Sequence, residues 1–348
     1  MVKDYPGTSE SAEALAALER IYAQEGAMSQ YLSYVDSLGV AEPYSATVRD
    51  SLVYSSAMGP YYEGHYGKAS KALKEYLAAY KMGLHWLEAN YFLGRSLCAM
   101  RDTAGAIEPL RVVVEHRPAH AYTVDALRLL AAAQRAQKDY QDAAYRYREL
   151  AGLTSSPGVK EEAYSGELTC AVAQRDTVGV IRAARALLGL AHITPEHKLQ
   201  ASYWQGRGQE AQGDLDEAYA SYASIAANSG SSAGAEAYYR MVAILRARKD
   251  WEGVRRAVVA FSKQNTPHQY WLAKSFIVLA EAYRAKGDMF QAQATLESIA
   301  SNYGVPDDGI LREVEQALQT LKAEAPTQVT APGADTLHLQ GPKKEQEL

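Results

Sequence analysis

The stretch KGDMFQA, Lys286–Ala292, recurs in modified form along the whole chain. It combines a glycine and an aspartate with an alanine four residues after the aspartate. The aspartate position is occupied in turn by Ala27, His65, Asp102, Asp139, Asp176, Asp214, Asp250 and Asp288, which lie 36 to 38 residues apart. Because self-similarity at a fixed period of this length is the signature of a repeat architecture, the chain is predicted to contain eight copies of one unit.

Each unit is predicted to be a pair of amphipathic helices joined by a short turn. The segments before and after the turn, such as FIVLAEAYRAK (276–286) and AQATLESIASNY (292–303), carry apolar or small residues at spacings of three and four. Glycine precedes the aspartate position at Gly26, Gly64, Gly213 and Gly287, where it can end the first helix in a left-handed conformation. The aspartate is then expected to cap the second helix, a contribution of about 1 kcal/mol.

Two threonine–proline pairs mark the expected starts of first helices. Thr194 and Thr266 are predicted N-caps, and Pro195 and Pro267 are the corresponding first helical residues. Gln269 stands where a capping box would place a reciprocal partner for Thr266.

Composition bounds the function. A net charge of -5 spread over 348 residues gives no reason to expect a nucleic-acid partner, and no apolar run is long enough to span a membrane. The two cysteines, Cys98 and Cys170, cannot form a disulfide framework.

The repeat resembles the tetratricopeptide (TPR) family. A large apolar residue followed by a small one before the turn, and a small one after it, is found at Leu93–Gly94 with Ala106, Leu130–Ala131 with Ala143, and Leu279–Ala280 with Ala292. Small residues at these positions allow two helices to cross closely. The units containing Leu168 with Val180 and Val242 with Val254 depart from the pattern. The resemblance implies an all-α fold, a TPR-like α-solenoid in which helix-turn-helix repeats form a right-handed superhelix.

The resemblance also divides the chain. Residues 1–303 hold about eight repeats, 304–324 a C-terminal capping helix, and 325–348 a tail that lacks a core pattern and is predicted to be disordered. The overall pattern, and TPHQYWLAKSFIVLAEAY (266–283) in particular, is similar to long TPR proteins of Bacteroidetes-type bacteria. This similarity implies a periplasmic or envelope-associated protein, with the cytoplasm as the alternative. We also expect Met1 to begin the C-terminal portion of a longer chain.

Motifs for catalysis or cofactors are incomplete. Gly67–Lys68 lacks the first glycine and the hydroxyl residue of a phosphate loop, and the glycines of 206–213 follow no strand. Pro118 interrupts the spacing between His116 and His120 that would bind a metal. Neither cysteine has an identifiable base. The sequence therefore predicts no enzymatic activity, no cofactor and no metal.

A stripe of tyrosine and arginine is the candidate binding surface. At eleven, seven and four residues before the aspartate position, the first helices carry Tyr54, Tyr91, Arg95, Arg135, Tyr203, Arg207, Tyr239, Arg246 and Arg284. These offsets share one helical face, and Tyr and Arg are over-represented among interface hot spots. The alternative is that the tyrosines pack between repeats and the arginines pair with nearby glutamates.

The resulting hypothesis is a protein–protein interaction scaffold. In the TPR family, first helices line a concave groove, so this groove is expected to bind a peptide segment or partner protein as part of a cell-envelope complex. Two alternatives stay open: a chaperone-like carrier of secreted or outer-membrane proteins, and a self-assembling structural protein. No nucleic acid and no direct membrane insertion are expected, and the oligomeric state is left open.

Overall fold

All regular secondary structure in the described part of the chain is α-helical. The computed structural model describes residues 2, 5, 7–39 and 44–324. Its helices are α1 Ser9–Gln24, α2 Met28–Ser37, α3 Ala46–Tyr62, α4 Tyr66–Ala79, α5 Trp86–Ala99, α6 Thr103–Glu115, α7 Thr123–Ala136, α8 Tyr140–Leu153, α9 Pro157–Gln174, α10 Thr177–Leu188, α11 Pro195–Gln212, α12 Leu215–Ala226, α13 Ser232–Ala247, α14 Trp251–Ser262, α15 Gln269–Ala285, α16 Met289–Asn302 and α17 Ile310–Glu324.

The helices form hairpins around the predicted turns. Odd-numbered helices up to α15 are first helices, and the even-numbered helix that follows each one is its second helix. From α3 to α11 each helix packs on the next, and first helices also contact the first helix of the following pair. The same arrangement holds from α13 to α16. The predicted all-α fold, a solenoid of TPR-like helix pairs, is confirmed.

The chain forms two compact units, which the regular repeat period did not predict. Among the described residues, the N-terminal unit extends to residue 225 and the C-terminal unit begins at residue 226. The apolar core of the N-terminal unit includes fully buried Leu73, Leu110, Leu127 and Leu150. In the C-terminal unit, Ala292, Leu296 and Ile299 of α16 pack with residues of α15 and α17.

The aspartates cap the second helices, as predicted. The side chain accepts a hydrogen bond from the backbone N–H three residues later at Asp102, Asp139, Asp176, Asp250 and Asp288. The four glycines before the turn adopt positive φ, for example 87° at Gly213 and 82° at Gly287. Arg101, Lys138, Arg175 and Lys249 occupy the same place, also with positive φ. These four residues were not predicted, because the left-handed region disfavours residues with a Cβ atom.

Small residues allow the close crossings that the sequence indicates. A Cβ atom on Gly94 would lie 2.6 Å from the Leu110 side chain, and one on Gly206 would lie 2.7 Å from the Tyr222 ring. Ala106 and Ala218, on the partner helices, are fully buried. Side chains of the partner helix therefore pack directly against the positions where the pattern placed glycine.

The predicted start of α15 is wrong. The helix begins at Gln269, so Pro267 is outside it and Thr266 is not its N-cap. The buried Thr266 hydroxyl instead donates to the Ser229 carbonyl oxygen at 2.6 Å and accepts from the His268 N–H. This hydrogen bond to Ser229 replaces the N-cap contact that the sequence predicted for Thr266. The prediction at Thr194 is confirmed, because its side chain accepts from the His197 N–H and α11 begins at Pro195.

The last described helix lies within the segment predicted to cap the array. Helix α17 buries Ile310, Val314 and Leu321 against α15 and α16. Its capping role stays a prediction, and the predicted tail at 325–348 lies outside the described residues. Among the helices that the structure describes, none has the length and apolar character needed to cross a bilayer.

Candidate functional site

Tyr91 is buried and holds two charged neighbours in place. Its side chain is only 3% exposed, and its hydroxyl donates to Asp125 Oδ2 of α7 at 2.6 Å. The same hydroxyl accepts from Arg95 Nη1 at 2.9 Å. Burial, and then the hydrogen bond to Asp125, raise the pKa of Tyr91 to about 12. Tyr91 is therefore uncharged at neutral pH, and its hydroxyl helps to position the Arg95 guanidinium.

The Arg95 guanidinium remains accessible although it is held on one side. Its side chain is 45% exposed, and Nη1 lies 3.9 Å from Asp125 Oδ2. The guanidinium carbon is 5.6 Å from the centroid of the Tyr91 ring. Because a cation over an aromatic face is attracted to it, the ring and the hydroxyl together restrict where the guanidinium points.

The same tyrosine–arginine geometry recurs in α11. Arg207 Nη1 donates to the Tyr203 hydroxyl at 2.9 Å, and its guanidinium carbon is 5.9 Å from the ring centroid. Tyr203 also packs edge-on against Trp204. Two first helices of the N-terminal unit thus present an arginine that is oriented by the tyrosine one helical turn earlier.

Arg135 differs from these oriented arginines. It is exposed on the last turn of α7, and the described residues provide it with neither an ion pair nor a hydrogen bond. It lies near Tyr147 and Cys170, two groups that are neutral at pH 7. Arg135 is therefore an exposed arginine of a first helix that makes no direct ion pair with the described residues.

Three of the predicted tyrosines stack on a ring of the following repeat. Tyr54 stacks on His85 with centroids 4.3 Å apart, Tyr91 on Tyr122 at 4.2 Å, and Tyr239 on Trp271 at 5.4 Å. Burial raises the pKa of Tyr54. The surroundings of these three side chains match the alternative interpretation, in which the tyrosines pack between repeats.

The arginines of the C-terminal unit are paired with carboxylates. Arg246 Nε lies 2.7 Å from Glu281 Oε2, and Arg284 Nη1 lies 3.6 Å from Glu324 Oε1. Lys274 lies 6.0 Å from the centroid of the Tyr239 ring. The structure therefore does not bring the nine predicted residues into one equivalent set.

Sequence reasoning missed the residues that complete the stripe. Asp125 binds Tyr91 and also Arg128, whose Nη2 lies 2.9 Å from Asp125 Oδ1. Tyr122 and Trp271 supply the stacking rings. A signal for them existed, because each ring lies 17 residues before its own aspartate position and Asp125 lies 14 before Asp139.

The other candidate motifs have structural surroundings. Gly67–Lys68 lies inside α4, and Gly206 and Gly208 face Tyr222 and Ile181. Within residues 7–39 and 44–324, no group of three His, Cys, Asp or Glu side chains could hold a metal ion.

Neither cysteine is activated as a nucleophile. Burial raises the pKa of Cys98, and it raises that of Cys170 to about 11. Because the thiolate is the reactive form, these raised pKa values favour the protonated, less reactive thiols at neutral pH.

Comparison with known proteins finds similarity at the level of solved structures. No family model and no curated protein matches the chain. A tetratricopeptide repeat protein from Parabacteroides merdae is 10% identical, with 77% of this chain and 98% of that chain covered and a TM-score of 0.40. The C-terminal part of a TPR repeat-containing protein from Cytophaga hutchinsonii is 12% identical, with 85% and 98% covered and a TM-score of 0.39. The helix pairs of this chain, with aspartate-capped turns and small residues at their crossings, form an array of helix-turn-helix repeats.

Proposed function

We propose that this chain is an interaction scaffold whose N-terminal unit binds an acidic segment of another protein through Arg95, Arg135 and Arg207. The observation that carries the proposal is the repeated tyrosine–arginine pair. In α5 and in α11 a tyrosine hydroxyl 2.9 Å from the guanidinium fixes an arginine at the same repeat position.

Fixed arginines suit recognition of carboxylates. The guanidinium presents a planar set of donors that can bind a carboxylate in bidentate fashion. An arginine that is already oriented loses less side-chain entropy when it binds. Tyr91 and Tyr203 contribute by orientation, since the hydroxyl of each accepts a hydrogen bond from its arginine.

The test uses a triple variant, Arg95→Gln, Arg135→Gln and Arg207→Gln. Binding to synthetic peptides that differ only in their Asp and Glu content is measured by fluorescence polarisation. We expect the wild type to prefer acidic peptides, and the variant to bind them at least about tenfold more weakly, which corresponds to about 1.4 kcal/mol. Circular dichroism checks that the variant is folded.

A matched control removes arginines that are already paired on second helices. Arg111 lies 2.7 Å from Glu108 in α6, and Arg255 lies 2.5 Å from Glu252 in α14. The variant with Arg111→Gln and Arg255→Gln should bind like the wild type. If the control loses as much affinity as the triple variant, charge alone explains binding and the proposed surface is wrong.

Capture from a native envelope extract then identifies the class of partner. One or a few proteins retained by the wild type and lost by the triple variant support a dedicated scaffold. Many unfolded clients would favour a carrier, and recovery of this same chain would favour self-assembly. The envelope location is itself a proposal that rests on sequence resemblance, and cell fractionation tests it.

A further inference from the structure

An open cleft lies between α15 and α16, and none of its lining residues belongs to the tyrosine–arginine stripe. Its volume is about 380 Å³. The apolar side chains that line it include Leu272, Phe276 and Ile299. Gln291, Thr295, Ser298 and Asn302 form a polar side, and no charged side chain lines the cleft. Such a lining fits an uncharged apolar ligand with polar groups along one edge, as in an extended peptide.

The preceding helix pair shows why this cleft is open. In the pair α13 and α14, Tyr238 stacks on Phe261 with centroids 4.4 Å apart and an angle of 3° between the rings. The residues at the same repeat positions in α15 and α16 are Phe276 and Ile299. Ile299 is smaller than the phenylalanine ring at the same repeat position, so α15 and α16 leave open the space that Phe261 fills between α13 and α14.

The polar side has capacity for a peptide backbone. The Gln291 side-chain amide is exposed, and residues 44–324 provide it with no hydrogen-bond partner. Its backbone N–H, in contrast, donates to the capping Asp288. A primary amide can both donate to a carbonyl and accept from an N–H, which matches the groups along an extended chain.

The sequence after α17 contains a segment of matching character. Residues 336–340 read TLHLQ, and their apolar residues Leu337 and Leu339 alternate with His338. In an extended conformation, residues two apart point to the same side. We propose that this segment of the same chain binds in the cleft between α15 and α16, with Leu337 and Leu339 against the apolar lining.

The segment has more than enough chain to reach the cleft. Helix α17 ends at Glu324, whose Oε1 is 3.6 Å from Arg284 of α15. The cleft begins at Phe276, eight residues back along α15, or about 12 Å at the helical rise. The 13 residues from Glu324 to Leu337 can span up to about 45 Å. A tether of this length gives the segment an effective concentration on the order of 1 mM.

The test measures binding of a fluorescent peptide of residues 333–342 to the full chain and two variants. The first variant, Leu337→Ser with Leu339→Ser, frees the cleft from its own segment. The second adds Ala294→Lys, which places a charge at an exposed position on the cleft wall. We expect the first variant to bind the peptide about tenfold more tightly than the wild type, since the tethered segment no longer competes. The second variant should lose this binding.

Each other outcome overturns the proposal. If the first variant does not bind the peptide, the cleft does not recognise this segment. If the wild type and the first variant bind it equally, the segment does not occupy the cleft of its own chain. If light scattering shows a dimer that the first variant loses, the occupant comes from a second copy. Equal binding by both variants would place the peptide elsewhere on the chain.

Discussion

Helices α5 and α13 carry a tyrosine at the same repeat position, yet the two side chains have different roles. Tyr91 of α5 binds Asp125 and orients an exposed arginine. Tyr239 of α13 is covered by Trp271 and has Lys274 near its ring. The difference comes from the next repeat, because the position 14 residues before the turn is Asp125 in one case and Lys274 in the other. A binding residue in this array is therefore defined by its neighbour as well as by its own position.

The largest effect is expected at the close contact between Gly94 of α5 and Leu110 of α6. Gly94→Ala places a Cβ atom 2.6 Å from the buried Leu110 side chain, so we expect a loss of roughly 1–3 kcal/mol in unfolding free energy. Gly152→Ala in α8 meets no atom within 4 Å and should stabilise the chain by roughly 0.5–1 kcal/mol. Urea denaturation measures both. Equal midpoints for the two variants would contradict the close crossing.

The comparison of tyrosines is tested directly by removing one hydroxyl. Tyr91→Phe leaves Asp125 and Arg95 without their shared partner and should cost about 1–2 kcal/mol. Tyr239→Phe is the matched control, since its hydroxyl forms no hydrogen bond with the residues described. Thermal unfolding should shift only for the Tyr91 variant. A similar shift for both would show that ring packing, and not the hydroxyl, dominates.

The turns offer a smaller comparison between the two units. Lys138 and Gly287 share one turn position, with φ of 64° and 82°. Gly287→Ala should destabilise the chain by about 1 kcal/mol. Lys138→Gly should stabilise it by less, roughly 0.5 kcal/mol, because glycine also gains freedom in the unfolded chain. Calorimetry measures the unfolding temperature of each variant. A shift of both temperatures in the same direction would contradict this account.

The smallest effect concerns two carboxyl groups with lowered pKa values. The Thr194 N–H and His197 lower the pKa of Glu161 to about 2, and Arg255 and Lys286 lower that of Glu252 to about 2. A depressed folded-state pKa gives stability that is present above about pH 4.5 and is lost as the pH falls towards 2. Both carboxyl-to-amide variants, Glu161→Gln and Glu252→Gln, should therefore weaken this dependence.

The contributions of the two carboxyl groups to stability should differ in their sensitivity to salt. Exposed pairs such as Glu252 with Arg255 are screened at 1 M salt, where the Debye length is about 3 Å. The hydrogen bond from the Thr194 N–H to Glu161 is 2.8 Å long and does not depend on a second charge. Acid titrations of both variants are followed by circular dichroism at low and at high salt. At high salt we expect Glu161→Gln still to change the stability at acidic pH, whereas Glu252→Gln should no longer do so. Loss of both effects at high salt would contradict the assignment.

The features that could be predicted from the sequence are those fixed within one repeat. Asp102 and Asp288 cap because a short polar side chain beside free amides acts locally, and Gly94 lies against Leu110 of the partner helix because the helical period sets its direction. Tertiary contacts overrode local signals elsewhere. Thr266 bonds to Ser229 instead of capping α15.

The candidate site was predicted less completely, because offsets along a helix do not reveal which neighbour covers a side chain. The offsets placed Arg95 and Arg246 on the same stripe, but Glu281 lies against only the second. Lys138 in a left-handed turn was missed, since propensity argues against it.

The stack of Tyr239 on Trp271 gives the junction between α13 and α15 its own optical reporter. The indole and phenol rings are close enough that separating the two helices would change the surroundings of the tryptophan before the helices themselves unwind. With Trp86, Trp204 and Trp251 replaced by Phe, fluorescence from the remaining indole would follow the opening of one junction, while circular dichroism would follow the helices. Partial melting of this single junction would thus become measurable, whereas the absorbance of the many tyrosines cannot be assigned to a particular junction.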